Sequence, residues 1–206
     1  MKIIDISRTL DKNTPTWPGD TPFSYHVKWS KQHTGSVNVG SINMSVHTAT
    51  HVDAPFHFAE DGEKLEEIPL EAFVGEAVVI DVSNQKAFSL ENMKAKLAPH
   101  QGRRILFKTN AWEHDDVFPD TIPTLDKEVV EFLKKLEIPL IGLDLPSVDV
   151  LDSKDLLIHH TLHEASIFIL EGLQLAHVEE GMYQLVALPL KISGSDGSPV
   201  RAVLLK

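Results

Sequence analysis

His47-Thr48-Ala49-Thr50-His51-Val52-Asp53-Ala54-Pro55-Phe56-His57 is the stretch on which the reading of this chain turns. Its His-x-x-x-His spacing would set two imidazoles on one helix face. Thr48, Thr50 and Val52 are poor helix formers, however, and Pro55 breaks a helix, so the segment is extended. A straight strand would hold His47 and His51 about 13 Å apart at ~3.3 Å per residue. One ion needs nitrogen ligands at about 2.0–2.1 Å, so the chain must bend near Ala49, where a small residue lets the backbone fold beneath it. His51 and Asp53, at i and i+2, share one face of an extended segment. His47, His51 and Asp53 thus form a corner for a divalent ion, and Pro55 turns the chain so that His57 approaches without having to ligate. The competing reading is a row of polar residues on a sheet edge.

Outward from this segment, the 206 residues hold 19 Lys+Arg against 30 Asp+Glu, a net charge of −11. That balance argues against nucleic acid or an anionic membrane surface as partner. At 42% hydrophobic and 24% charged, the composition is that of an ordinary globular chain. The length suits one domain over residues 1–206, and no linker or repeat divides it. No apolar run reaches the ~20 residues that cross a bilayer. The start, Met1-Lys-Ile-Ile-Asp-Ile-Ser7, is too short and too acidic for a signal peptide, which predicts a cytoplasmic protein. Cysteine is absent, so any metal site must be built from His, Asp and Glu.

Short β-branched runs predict strands at Lys2–Ile6, Glu76–Val82, Arg104–Thr109, Pro139–Leu145, Ser166–Leu170, Tyr183–Ile192 and Val200–Leu205. Helices are predicted at Ser89–Leu97, Asp126–Leu136 and Ser153–Ala165. The fold class is α/β, a single mixed-sheet domain.

Six of the 11 histidines fall in two groups. The second is His159/His160/His163, on the third predicted helix, ahead of a strand closed by Glu171. An acid ending the buried run Ile167-Phe168-Ile169-Leu170 needs a partner, and a metal would provide one. A His and a carboxylate here would complete a second site with Asp53 bridging; a surface His patch is the plainer reading. Trp17-Pro18-Gly19-Asp20 is a turn in which Trp17 either covers an aromatic substrate or packs in the core. Asp144 and Asp149 end a strand, where they either line a pocket or cap the following helix. Gly194-Ser195-Asp196-Gly197 follows neither a phosphate-loop nor a nucleophile-elbow pattern.

The His47–His57 stretch closely resembles the His-x-Gly-Thr-His-x-Asp-x-Pro-x-His signature of the metal-dependent cyclase superfamily. Within it the chain resembles the bacterial kynurenine formamidases (arylformamidases). This narrower resemblance rests on Trp17-Pro-Gly-Asp-Thr-Pro-Phe23, Ser36-Val-Asn-Val-Gly40, Asp53-Ala-Pro-Phe-His-Phe58, Asp144-Leu-Pro-Ser-Val-Asp149 and Asp196-Gly-Ser-Pro-Val-Arg-Ala202. It implies a swivelling β/β/α fold, a homodimer and two Zn²⁺ per subunit, with Mn²⁺ or another divalent ion able to substitute. His47, His51 and Asp53 would hold one ion, and Asp53, His159 and Glu171 the second. His57 would be the catalytic acid/base and Trp17 a substrate-binding residue. Ala49 replaces the signature's Gly; if that position has φ > 0, the methyl costs about 1 kcal/mol.

The implied reaction is hydrolysis of an aromatic formamide, N-formyl-L-kynurenine, to L-kynurenine and formate. Two other readings remain: a metal-dependent hydrolase of a cyclic amide such as isatin, and a non-catalytic metal-binding protein.

Overall fold

The computed structural model describes residues 1–83 and 88–206. Among them the strands are β1 (Ile3–Asp5), β2 (Ser24–Trp29), β3 (Val39–Asn43), β4 (His51–Asp53), β5 (Val74–Asp81), β6 (Arg104–Lys108), β7 (Leu140–Leu143), β8 (Phe168–Glu171), β9 (Gly181–Val186), β10 (Gly197–Pro199) and β11 (Val203–Leu205). The helices are α1 (Lys31–Thr34), α2 (Leu90–Leu97), α3 (Lys127–Lys135) and α4 (Leu157–Glu164). Nine strands form one mixed sheet in the order β1-β11-β9-β5-β6-β7-β8-β4-β10. β5 to β8 run parallel, joined through α2, α3 and α4, and the flanking strands pair antiparallel.

The continuous apolar runs of the central strands follow from burial on both faces. Along β5, Val78 and Ile80 turn toward Met93, Leu97, Val129, Leu133 and Leu162, a core under the three helices. Ala77 and Val79 turn the other way, toward Phe73, Leu106, Leu170 and Leu185. Each fully buried Leu, Ile or Phe in these cores contributes roughly 1.5–3 kcal/mol, so the sheet centre is a rigid base.

Several boundaries depart from the sequence expectation. The strand expected over Tyr183–Ile192 ends at Val186, ahead of Pro189, which cannot donate to a ladder. The helix expected from Ser153 starts at Leu157. Ser153 Oγ accepts the Leu156 N–H, and Leu156 takes a left-handed φ of 44°, so the preceding residues form a turn. Ser166 is likewise left-handed at φ 57°, and β8 begins only at Phe168. The last expected strand, Val200–Leu205, contracts to Val203–Leu205.

Sequence patterning also missed β2 and β3, a separate antiparallel hairpin, and the three-residue strands β4 and β10. Those two short strands extend the sheet beyond β8 and carry the site.

Candidate metal centre

The geometry begins at Ala49. Its φ is +59°, and this left-handed residue is the bend that the sequence requires. Instead of the ~13 Å of a straight strand, the His47 and His51 rings lie 5.1 Å apart between centroids. Gly172 permits the bend, because a Cβ there would run into the Ala49 carbonyl. Thr50 Oγ1 locks it, donating to the Gly172 carbonyl at 2.6 Å and accepting the Arg8 N–H at 2.8 Å.

Strand register then assembles the donors. His51 sits opposite Glu171 on β8, and Asp53 opposite Gly197 on β10. Gly197 is required there, since a Cβ would stand 2.7 Å from His47 Cε1. After Asp53, Pro55–His57 forms one 3₁₀ turn, which carries the His57 ring to 3.9 Å from that of His47. From the helix side, α4 delivers His159. His160 and His163 instead pack edge-on against Phe58, at 5.5 and 5.8 Å.

Each of His47, His51 and His159 uses one ring nitrogen for support and turns the other toward the carboxylates. His51 Nδ1 donates to the Ala49 carbonyl at 3.0 Å, while Nε2 lies 3.4 Å from Asp53 and 3.5 Å from Glu171. His159 Nδ1 contacts Asp149 at 2.7 Å, while Nε2 lies 3.7 Å from Asp53 and 3.8 Å from Glu171. His47 Nε2 contacts Asp196 at 3.0 Å, while Nδ1 lies 2.9 Å from Asp53. This is the outer support that metal-ligating histidines use to fix tautomer and ring direction.

Three donor groups result, His47/His57/Asp196, His47/His51/Asp53 and Asp53/His159/Glu171; the last two share Asp53 and are the more buried. Asp53 Oδ2 is buried without a hydrogen-bond partner, and a buried carboxylate oxygen left bare is costly. A divalent cation would satisfy it, and the imidazole and carboxylate donors suit such an ion.

In the metal-free chain, protons hold the cluster together. Burial disfavours the charged form of His47, but hydrogen bonds to Asp196 and Asp53 outweigh it and raise its pKa to about 10. His159 likewise rises to about 10, where Asp149, Asp53 and Glu171 overcome burial. Burial would raise Asp53, yet its three histidine neighbours hold it well below the carboxylate range. Burial and the Asp53 charge push Glu171 well above it. Asp196 is lowered to about 2, chiefly by its hydrogen bond with His47. Unlike His47 and His159, His57 is lowered, mainly by burial, so it is neutral at pH 7.

Above the cluster lies a cavity of about 520 Å³. His47, Ala49, His51, His57, His159 and Glu171 line its floor, and Trp17, Trp112 and Phe118 one wall. The aromatic wall is braced from behind. Trp17 and Trp112 each meet Phe118 edge-on, at 5.4 and 5.9 Å. The Arg8 guanidinium stacks 3.7 Å over Trp112 and pairs with Asp115 at 2.6 Å.

The cyclase family model ("Putative cyclase") matches residues 4–150, most of the chain and all of the His47–His57 segment. The chain belongs to the cyclase family. Among its cyclase-family relatives, kynurenine formamidase of Geobacillus thermodenitrificans is 51% identical over 203 residues, covering 98% of this chain and 97% of that one. Kynurenine formamidase of Bacillus anthracis is 49% identical with the same coverage. A solved structure described as a potential metal-dependent hydrolase with cyclase activity superposes with a TM-score of 0.85 at 28% identity, covering 98% of this chain and 96% of its own. Isatin hydrolase A from Labrenzia aggregata superposes at 0.84, also 28% identical, covering 98% and 93%.

The cyclase fold thus brings His47, His51, His57, His159 and Glu171 to one floor, with Asp53 grouped with them beneath it and Trp17 at the wall. Sequence reasoning missed Asp196 as the support of His47, and Trp112 and Phe118 as wall residues. It left Asp149 open between lining and capping. Asp149 caps α4, accepting the Ile158 and His159 N–H groups at 3.0–3.1 Å, and aims the His159 ring as well.

Proposed function

We propose that this protein hydrolyses N-formyl-L-kynurenine to L-kynurenine and formate. The observation that carries the reading is the joining of two Asp53-sharing donor groups to an open, aromatic-walled cavity with a neutral histidine beside them. Names of relatives at about half identity over nearly the full chain support the substrate.

In this reading His47, His51 and Asp53 hold one divalent ion and Asp53, His159 and Glu171 a second, both Zn²⁺. What such ions supply when bound is Lewis acidity toward a carbonyl oxygen and a lowered pKa for water. Everything else falls to the chain. Trp17, Trp112 and Phe118 hold the aryl ring, so the formamide lies over the floor. His57 Nδ1 lies 3.6 Å from Asp196 Oδ2, which leaves Nε2 as the nitrogen that exchanges protons with substrate. With its pKa lowered by burial, His57 is neutral and accepts a proton from the water whose oxygen attacks the formyl carbon. It then returns that proton to the departing aniline nitrogen, too poor a leaving group otherwise. The open cavity favours catalysis over passive metal storage, since structural sites are closed.

A homodimer and a cytoplasmic location complete the proposal. The β2–β3 hairpin supports the dimer. It stands apart from the main sheet and exposes Tyr25 (56%), Trp29 (59%) and Ile42 (61%), apolar surface of the kind that partners cover. Among the described residues no helix is long and apolar enough to cross a membrane.

The test is turnover of N-formyl-L-kynurenine against isatin by metal-loaded protein. Faster isatin opening would overturn the reading in favour of the cyclic amide, the substrate named for the more distant structural relatives.

A further inference from the structure

Five of the ionisable side chains lining the cavity, His47, His51, His57, His159 and Glu171, belong to its floor. Two others, Asp20 and Lys154, do not. They carry opposite charges and come from separate turns, one after Trp17 and one before α4. Binding a formanilide ring needs neither, since the three aromatic side chains already supply an apolar wall.

Lys154 is exposed, and among the described residues it takes part in no salt bridge or side-chain hydrogen bond, although Asp152 and Asp155 flank it in sequence. It is the one Lys or Arg among the cavity-lining residues. On a chain of net charge −11, Lys154 gives an anionic group entering this cavity a cation set apart from the histidines and donor groups of the floor. Asp20 is held by its turn: its N–H donates to the Trp17 carbonyl at 2.9 Å, and Gly19 supplies the left-handed φ of +90°. Its Oδ1 accepts the Thr21 N–H, which leaves Oδ2 for an external donor.

We infer that Lys154 and Asp20 form a subsite for a zwitterionic α-amino acid group, Lys154 pairing with the carboxylate and Asp20 with the ammonium. This deepens the proposed activity, on which its choice of substrate rests. The aromatic wall recognises the aryl ketone, and the charged pair recognises the amino acid arm, which isatin lacks.

The test compares the metal-loaded wild type with Lys154→Met, which keeps the aliphatic stem, on two substrates. One is N-formyl-L-kynurenine, and the other is N-(2-acetylphenyl)formamide, with the same formanilide and ketone but no amino acid arm. Losing a charge-assisted pair raises KM for the first about 10- to 100-fold with kcat little changed, and leaves kcat/KM for the second within about twofold. Lys154→Arg restores most of the KM. Asp20→Asn raises KM for N-formyl-L-kynurenine but not for the analogue lacking only the amine. Equal losses on both substrates, or no change on N-formyl-L-kynurenine, would overturn the subsite.

Calorimetric binding of L-kynurenine against 2-aminoacetophenone reads the same contrast without turnover. If the wild type cleaves neither formanilide yet binds L-kynurenine in a Lys154-dependent way, the formamidase reading fails and the subsite stands. Binding of L-kynurenine that ignores Lys154 overturns the subsite whatever the activity.

Discussion

The floor and the rim of the cavity are built on opposite principles. On the floor, His51, Asp53, His159 and Glu171 are almost wholly buried, and each histidine is tied by its second nitrogen to a fixed acceptor. At the rim, Trp17 is 40% exposed, and among the described residues Lys154 makes no ion pair. A floor that must hold charge in a low dielectric tolerates no slack, because a misplaced buried donor costs its full desolvation. A rim in contact with water loses little by moving, so it is free to select substrates. Substitutions on the floor should therefore act on metal content and kcat, and those at the rim on KM.

The strongest challenge to this division is His57→Ala. It should lower kcat by about 10²- to 10⁴-fold while metal content by elemental analysis stays at the wild-type level. Retained turnover would remove His57 from the mechanism.

Next comes the acidity of the floor itself. His47 and His159 each hold a proton up to about pH 10 in the metal-free chain and must release it to ligate. Apparent metal affinity should rise with pH across 7–9, by up to ~100-fold per unit when two protons leave. Calorimetry in buffers of different ionisation enthalpy counts those protons. The same raised pKa values stabilise the metal-free fold fully below about 6.5, the usual histidine value, and progressively less as pH rises toward 10. A metal-free melting temperature that climbs over that window would contradict the assignment.

Asp149→Asn tests the support behind the floor. It should weaken metal binding by about 10- to 100-fold, the usual cost of losing such a partner. At the rim, Trp17→Ala should raise KM about tenfold with kcat within a factor of two, through lost ring contact. An equal fall in kcat would mean that the wall also aligns the reacting bond.

The smallest effect belongs to Ala49→Gly, which relieves a left-handed alanine but adds freedom to the unfolded chain. A net gain of about 0.5 kcal/mol corresponds to a rise of about 1–2 °C in Tm by calorimetry.

Most of the floor was legible because its chemistry is local. Thr48, Thr50 and Pro55 exclude a helix, and the bend at Ala49 follows from the distance between two histidines that must meet. The central strands were legible because burial on both faces leaves them continuously apolar. What escaped was non-local. β4 and β10 are three residues each, too short for a period-2 pattern, and exist through pairing with β8 and with each other. Asp196 reaches His47 across 149 positions, and no spacing rule links them. The start of α4 was misplaced because its cap, Asp149, lies well upstream and reaches the helix through a turn.

The pairing of β4 with both β8 and β10 also sets a timetable for synthesis. His47 to His57 leave the ribosome early, as a histidine-rich segment with no partner. Glu171 arrives more than a hundred residues later, and Gly197 and Asp196 later still. Until then the proposed early ligands His47, His51 and Asp53 lack the strand partners that fix their geometry. Closure of the last long-range pairings would fix the proposed centre, so its full donor set would be complete only once the final strands dock.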